Sequence, residues 1–221
     1  MPLKSNVGVT MKLNASLVEI LSPAYRCPEF DGPCAGEMRW LPQAGHVPRG
    51  FAGATGLIEE VELVLLVAEP GDPRYGEAHE GLHTAYDYAM NSFRTGRDPF
   101  HKNVRKILDL CWSQLSFEDQ MRKTWLTESV LCSAQKSTGP VTDRASRTCG
   151  QRYLLAQLAL FPKALLVALG GKARDRLLAL RVENFVSAFA VGRPGCYQAG
   201  ALPSWEAVAL ELAKRRSAGD G

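Results

Sequence analysis

The segment 61–73 constrains the fold of this chain more than any other part of the sequence. The five aliphatic residues at 63–67 are typical of a short strand buried on both faces of a sheet. This strand ends abruptly at Glu69-Pro70-Gly71. Ligands bind at the carboxyl ends of the strands in open α/β sheets, so Glu69 is a candidate functional carboxylate. The alternative is an ordinary strand-to-loop turn in which Glu69 is solvated.

Predicted strands and helices alternate along the rest of the chain. This alternation predicts an α/β fold, with three α/β/α layers around a central four-stranded, mainly parallel sheet. We expect a single domain over 1–221, with an irregular, cysteine-containing N-terminal segment at 22–56. The predicted strands cover 63–67, 125–132, 164–169 and 184–191, and the predicted helices cover 13–21, 77–93, 103–115, 151–160, 171–180 and 204–216.

The composition excludes several classes of protein. The chain has 46% hydrophobic and 22% charged residues, as ordinary globular proteins do, and no apolar stretch is long enough to span a bilayer. The N-terminus at 1–6 lacks the apolar core of a secretory signal, so we expect a cytoplasmic protein without a membrane partner. The net charge is only +3, but basic residues cluster at 133–152 and 172–176. Such clusters bind phosphates or form a solvated basic face.

Four of the six cysteines are placed where they can share one site. Cys27 and Cys34 lie in a polar loop rich in proline and glycine, where burial in a core is unnatural. Cys132 closes the second predicted strand, and Cys149 precedes the next helix. Two thiols in one loop and two that flank another can supply four thiolates to one metal centre. The alternative is that all four are buried free thiols, which are common in protein cores.

The order of these features resembles the uracil-DNA glycosylase superfamily, especially its iron–sulfur branch. That family has a buried strand ending in a motif of the Gly-Glu-x-Pro-Gly type, matched here by Ala-Glu-Pro-Gly at 68–71. Its Thr-Asn-x-Val-Lys-Cys-like strand end is matched by Thr-Glu-Ser-Val-Leu-Cys at 127–132, and its Val-Ala-Leu-Gly segment by 167–170. Its His-Pro-Ser loop corresponds best to Arg-Pro-Gly at 193–195, and Cys149 stands in the place of its last cluster cysteine. The resemblance covers most of the chain.

The resemblance implies a metal cofactor. Cys27, Cys34, Cys132 and Cys149 would then hold a 4Fe-4S cluster. Six residues separate the first two cysteines, where the iron–sulfur branch usually has two. Zinc is therefore the alternative metal.

The resemblance also implies hydrolysis of the bond between a base and deoxyribose. A carboxylate near the anomeric carbon stabilises the cation-like sugar and orients a water. We assign this role to Glu69, with Asp72 in reserve; the alternative is that Glu69 caps the next helix. Arg193 stands nearest the place of the family's histidine in the last loop, where it suits a phosphate or a departing anionic base.

The base-binding residues follow from the same resemblance. Glu128 replaces the asparagine that reads uracil in relatives, with Ser129 as the alternative for that place. An ionised carboxylate only accepts hydrogen bonds, so Glu128 favours the exocyclic amine of cytosine. Gly71 replaces the tyrosine that crowds the pyrimidine C5 position in classical uracil enzymes, which leaves room for a C5 substituent. Candidates for stacking on the flipped base, each equally explained as a packing residue, are Tyr75, His83 and Tyr86.

DNA is the expected partner, and the predicted contacts lie in three places. The backbone at Gly171, with Lys172 at a helix N-terminus, suits a phosphate, although a tight strand-to-helix turn explains the same residues. Lys136 and Ser137 lie in the basic loop. Tyr197 stands at the tip of the last loop, where it can wedge into the vacated stack.

These residues predict a monomeric DNA glycosylase that flips out and excises an aberrant or modified pyrimidine, leaving an abasic site. The favoured base is a C5-modified cytosine of the kind found in phage DNA, which implies an antiviral role. Base excision repair of uracil is the alternative, because a protonated Glu128, or a motif alignment shifted by one residue, restores the recognition of uracil. A non-catalytic DNA-binding sensor of modified or damaged strands is a further alternative.

Overall fold

The computed structural model describes residues 12–136 and 139–219. Its sheet has the order β1-β3-β2-β4-β5; β1 runs antiparallel to β3, and the other neighbours are parallel. The α/β class is therefore confirmed. The prediction of a four-stranded sheet is wrong, because a fifth strand adds an antiparallel edge. The strands are β1 Ala52–Gly53, β2 Leu63–Val67, β3 Thr124–Glu128, β4 Leu165–Leu169 and β5 Val186–Ala188.

The unpredicted strand β1 is too short to show an alternating pattern. It lies at the end of the segment that was expected to be irregular. Gly53 has φ of 95°, and a Cβ there would lie 2.0 Å from the carbonyl oxygen of Thr124. Only glycine permits this backbone to lie so close to β3.

The helices differ from the predicted ones mainly at their ends. The helix expected at 77–93 begins only at Leu82, and the one expected at 103–115 begins at Pro99, where the Asp98 carboxylate accepts a hydrogen bond from the amide of His101. No helix in 12–136 or 139–219 is long and apolar enough to cross a membrane. The helices are α1 Ala15–Leu21, α2 Leu82–Thr95, α3 Pro99–Cys111, α4 Phe117–Arg122, α5 Asp143–Cys149, α6 Leu155–Ala159, α7 Gly171–Ala179 and α8 Ala201–Gly219.

Strand β2 occupies the centre of the sheet, and all five of its residues are buried. The chain passes from β2 to β3 on one side and then to β4 on the other. The carboxyl end of β2 is therefore a topological switch point, where loops diverge and leave a crevice. Val67 pairs with Glu128, and the pairing continues because the amide of Ser129 donates to the carbonyl of Val67 at 2.8 Å. This register brings the ends of β2 and β3 together.

Gln157 on α6 holds β3 in place through hydrogen bonds. Its side chain is fully buried, and its Oε1 accepts hydrogen bonds from Trp125 Nε1 at 3.1 Å and from Thr127 Oγ1 at 2.8 Å. Its Nε2 donates to the carbonyl of Tyr153 at 3.2 Å. Buried donors that lose their acceptor carry the full cost of desolvation. Gln157 therefore fixes the strand whose last residue is Glu128.

Replacing Gln157 by leucine leaves the donors of Trp125 and Thr127 buried without an acceptor. We expect Gln157→Leu to lower the free energy of unfolding by about 2–4 kcal/mol, measured by denaturant titration. The matched control is Gln151→Leu at an exposed position, with a change within about 0.5 kcal/mol. Equal losses in the two variants would contradict this role of Gln157.

Candidate functional site

Glu69 lies just beyond β2 and is held by two cations from α7. Its side chain is only 7% exposed. Lys172 Nζ donates to Oε1 at 2.5 Å, and a guanidinium nitrogen of Arg176 lies 2.6 Å from Oε2. The sequence therefore places a buried, ion-paired carboxylate at the switch point. Glu69 is not a solvated turn residue.

Arg176 connects the ends of the two central strands. Its guanidinium is 11% exposed and donates to the carbonyl of Ala68 at 2.8 Å and to Ser129 Oγ at 2.9 Å. The Ser129 hydroxyl donates to the same Ala68 carbonyl at 2.6 Å. Ser129 is thus occupied in holding the strand ends, while its neighbour Glu128 faces the cavities described below.

Glu128, the last residue of β3, is only 4% exposed. Burial raises its pKa well above the usual value; the charge of Glu69 raises it further, and Arg49 and Arg176 oppose the shift. Among residues 12–136 and 139–219, no group makes a hydrogen bond to its buried Oε2. Gly50, at φ of 88°, comes so close that a Cβ there would lie 2.5 Å from Oε1. The raised pKa of Glu128 favours its neutral acid form, and its Oε2 leaves a hydrogen-bonding position open to a ligand.

Two cavities meet at these carboxyl groups. The first, which we call the α2 cavity, has a volume of about 330 Å³ and lies between the β2–α2 loop, helix α2 and the start of α3. The second, which we call the α7 cleft, has a volume of about 430 Å³ and lies between the start of α7 and the loop 190–195. Both volumes are in the range of small-ligand sites. The residues that line both spaces are Glu69, Pro70, Gly71, Phe100 and Glu128.

Arg49 forms one wall of the α2 cavity, although nothing in the sequence pattern marks it. It is 8% exposed, and its guanidinium donates to the carbonyl of Gly71 and lies 3.6 Å from Glu77 Oε1. Burial raises the pKa of Glu77, but hydrogen bonds from His79, the Arg74 amide and Tyr88 overcome this and lower it to about 2. Arg49 thus fixes the Gly71 backbone and faces an ionised carboxylate.

The α7 cleft is lined by the residues predicted to bind phosphate. Gly171 and Lys172 form its floor at the start of α7, and Arg193 stands in the opposite loop. The Arg193 guanidinium lies 5.2 Å from the ring centroid of Tyr197, which is 62% exposed. Lys172 Nζ also lies 3.4 Å from the Gly139 carbonyl, so the basic loop borders the same region.

The other predicted site residues lie apart from this centre. Asp72 lines the α2 cavity at its rim, paired with Arg39 at 3.0 Å. Tyr75 and His83 are exposed and stand outside the described lining of both cavities, whereas Tyr86 is buried and donates to the Gly53 carbonyl at 2.8 Å. Lys136 is exposed, and Ser137 lies outside the described residues. The aromatic residues that do line the α2 cavity are Tyr88, Phe93, Phe100 and His101.

Cys27, Cys34, Cys132 and Cys149 line one pocket, which we call the thiol pocket. Burial, and then Cys27, raise the pKa of Cys34 to about 11. Burial raises the pKa of Cys149 to about 12, with smaller contributions from Cys34 and Cys27. Burial also raises the pKa of Cys132, followed by the effects of the other three thiols. Three thiols with raised pKa values around one pocket suit a cationic centre, because a bound cation favours the thiolate form.

A single metal ion requires its ligands to lie close together, about 2.3 Å from the metal in the case of sulfur and zinc. In residues 12–136 and 139–219, no group of three or more histidine, cysteine, aspartate or glutamate side chains meets that condition. The four cysteines line their pocket together with mostly apolar residues.

Comparison with protein-family models finds no family that matches this chain. Comparison with curated proteins finds no match either.

The neutral state of Glu128 has a consequence for stability. Its folded-state pKa is raised, so the folded state keeps a proton that the unfolded state loses above about pH 4.3. The stability that this group contributes is therefore present at low pH and is lost as the pH rises towards its folded-state pKa. The Glu128→Gln variant has no ionisable group at this position, so its stability does not fall with pH in this way. We expect the variant's advantage in Tm over the parent to grow between pH 5 and pH 8, by about 2 °C or more.

The control is Glu19→Gln, at an exposed position of α1. Its difference in Tm from the parent should stay constant over the same pH range. If the Glu128→Gln difference is also constant, Glu128 is ionised in the folded protein and the assignment is wrong.

Proposed function

We propose that this protein is a DNA glycosylase that hydrolyses the N-glycosidic bond of a flipped pyrimidine and leaves an abasic site. The favoured substrate is a cytosine modified at C5. One observation carries the proposal: an ion-paired carboxylate and a second carboxyl group, whose Oε2 has no hydrogen-bond partner among the described residues, stand at adjacent strand ends, where two ligand-sized cavities meet. Two carboxyl groups in different environments suit different roles in glycoside cleavage.

Glu69 is the residue that acts on the sugar. Departure of the base leaves positive charge on the anomeric carbon, and a fixed carboxylate stabilises that charge and orients the attacking water. Lys172 and Arg176 hold Glu69 in a single position, which limits the reorganisation needed during the reaction. Asp72, at the cavity rim beside Arg39, is the reserve for this role.

Glu128 reads the edge of the base, but as a neutral acid. An ionised carboxylate would accept from the cytosine amine and repel the ring nitrogen beside it. A protonated carboxyl group donates to that nitrogen and accepts from the amine. It can equally donate to uracil O4 and accept from the uracil ring N–H. The structure therefore supports pairing with either edge, and selection for cytosine does not follow from Glu128 alone.

The α7 cleft suits the DNA backbone. Gly171 and Lys172 present amides and a cation at a helix N-terminus, and Lys136 extends the basic surface. Arg193 and Tyr197 stand on the opposite side, where an arginine can face a phosphate or a departing base and an exposed aromatic ring can enter the vacated stack. Base flipping through this cleft delivers the base to the α2 cavity.

The thiol pocket supports a 4Fe-4S cluster as the resident group, with zinc as the alternative. Cys27, Cys34, Cys132 and Cys149 would hold it. When bound, such a group would tie together the chain segments that carry these thiols, because its metal ions bind all four thiolates. For the fold, the proposal keeps the three-layer α/β/α arrangement around the central sheet.

Uracil excision in repair is the second candidate, because neutral Glu128 also matches the uracil edge. The decisive experiment incubates the protein with oligonucleotides that carry uracil, 5-hydroxymethylcytosine or unmodified cytosine, and cleaves abasic sites with alkali. Release of the modified cytosine supports the favoured function, and release of uracil alone supports repair. Specific binding without any release supports a non-catalytic sensor.

Glu69→Gln keeps the size of the side chain and removes its charge. We expect base release to fall about a hundredfold or more, while the affinity for DNA stays within about twofold of the parent. The control is Glu19→Gln, which should cleave as the parent does. Full activity in Glu69→Gln would exclude Glu69 from the chemistry.

Replacing one thiol of the pocket tests the metal centre. We expect Cys149→Ser to lose iron, acid-labile sulfide and visible absorbance, with a lower Tm, because one of four ligands is gone. The matched control is Cys196→Ser, a half-buried cysteine of the last loop. If the parent protein contains zinc and no iron, zinc is the resident metal. If the parent protein contains neither metal, both assignments are refuted.

A further inference from the structure

The α2 cavity is larger than a plain pyrimidine requires, and charged side chains stand among its apolar lining residues. Its volume of about 330 Å³ is at the lower end of the range for drug-sized ligands, and a single pyrimidine ring is much smaller than such a ligand. Glu128, with its unpartnered Oε2, lines the end of the cavity next to Glu69. A base that pairs with Glu128 therefore leaves the rest of the cavity for a substituent.

The space beyond the base exists because helix α2 presents small residues there. Ala85, Ala89 and Ser92 recur at helical spacing on one face of α2, and all three line the cavity. Tyr88 follows the same wall, and the guanidinium of Arg97 lies 4.6 Å from its ring centroid. The wall thus combines a flat aromatic surface with hydrogen-bonding groups.

Three further lining residues, Arg74, Asp98 and His101, contact one another and place donors beside acceptors. Asp98 contacts Arg74 at 2.7 Å and His101 Nδ1 at 2.7 Å. Burial raises the pKa of Asp98, but hydrogen bonds from the amide and ring of His101 and from Arg74 lower it overall. Burial lowers the pKa of His101; the hydrogen bond and charge of Asp98 oppose this shift, and the charges of Arg97 and Arg74 add to it, so that the pKa is lowered overall. An ionised carboxylate, a guanidinium and a neutral imidazole therefore stand side by side.

Two of the three arginines that line the cavity face carboxylates, and the third, Arg97, donates to the Ser92 hydroxyl at 3.2 Å. Arg74 pairs with Asp98, and Arg49 faces Glu77. In each of these pairs, the carboxylate would repel a phosphate and the guanidinium would repel an ammonium group. A neutral group with several hydroxyls can donate to the carboxylates and accept from the guanidiniums at once.

We propose that the α2 cavity is a subsite for a sugar carried on C5 of the flipped pyrimidine. The inference rests on the proposed base flipping, and it defines the C5 substituent as a neutral, hydroxyl-rich ring. The apolar face of the sugar packs on Tyr88, and its hydroxyls meet Arg97 and Asp98. The sugar stays attached to the base, so no bond other than the N-glycosidic bond is broken.

The test compares two substrates that differ only in the sugar. Duplexes carry either 5-hydroxymethylcytosine or glucosylated 5-hydroxymethylcytosine, and base release is measured for both. We expect the parent to favour the glucosylated base. Ala89→Leu fills the subsite, so the ratio of glucosylated to plain release should fall about tenfold or more. The matched control is Ala207→Leu, on the exposed face of α8, which should keep the parent's ratio.

A second variant keeps the shape of the cavity and alters its hydrogen bonding. Asp98→Asn retains a good cap for α3 but removes the charged acceptor. We expect KM for the glucosylated base to rise about tenfold, with a smaller change for the plain one. Thermal melting shows that the variants are folded. A parent that does not distinguish the two bases, or variants that keep its preference, would overturn the subsite.

A binding measurement separates this inference from the proposed function. Fluorescence anisotropy gives Kd for the same duplexes without any need for cleavage. Tighter binding of the glucosylated duplex that Ala89→Leu abolishes, without base release by the parent, would refute the glycosylase and retain the subsite. Base release with equal Kd and equal rates for both duplexes would retain the glycosylase and refute the subsite.

Discussion

The geometry of the candidate site depends on the guanidinium of Arg176. It reaches from α7 to the carbonyl of Ala68, the hydroxyl of Ser129 and the carboxylate of Glu69, and so joins the ends of β2 and β3. A nearly buried charge is costly unless it is paired and hydrogen-bonded, and here both conditions are met. Because the same group contacts both strand ends, the spacing between Glu69 and the residues after β3 is fixed before any ligand arrives.

That fixed spacing gives two carboxyl groups opposite properties. Glu69 has Lys172 and Arg176 in direct contact, whereas Glu128 has burial, a neighbouring carboxylate and only more distant cations. One group is held as an ion pair and the other keeps its proton. Sites that separate neighbouring carboxyl groups in this way are suited to reactions that need a charge stabiliser and a hydrogen-bond donor together.

The parts of the fold that follow from local pattern were predictable. The buried run of β2 is found at 63–67 as expected, because an aliphatic segment ended by proline and glycine has few alternatives. The two-residue β1 and the late start of α2 at Leu82 were not, since they depend on contacts with distant backbone. Likewise Arg49 has no local signal, and it lines the cavity only because its loop packs against Gly71.

The aromatic residues of the site were also not predictable from the sequence pattern. Distance along the chain from the β2 motif predicts Tyr75 and His83 as stacking residues, whereas the cavity wall is formed by the face of α2 that carries Tyr88. The motif residues Glu69, Gly71 and Glu128 could be placed together because they end neighbouring strands. Residues on the walls require the packing of α2 and α3 against the sheet, which a sequence pattern does not specify.

The thiol pocket and the candidate functional site are not independent, because one segment contributes residues to both. Residues 128–133 carry Glu128 at one end and Cys132 near the other. Ser133 donates to the Gly71 carbonyl at 2.8 Å, and the amide of Arg49 donates to the Leu131 carbonyl at 3.0 Å. A metal centre bound by Cys132 would therefore restrain the Gly71 backbone and the position of Arg49. Under the proposed function, such a centre would make the wall that faces the base more rigid, because the thiol pocket and that wall share the segment 128–133.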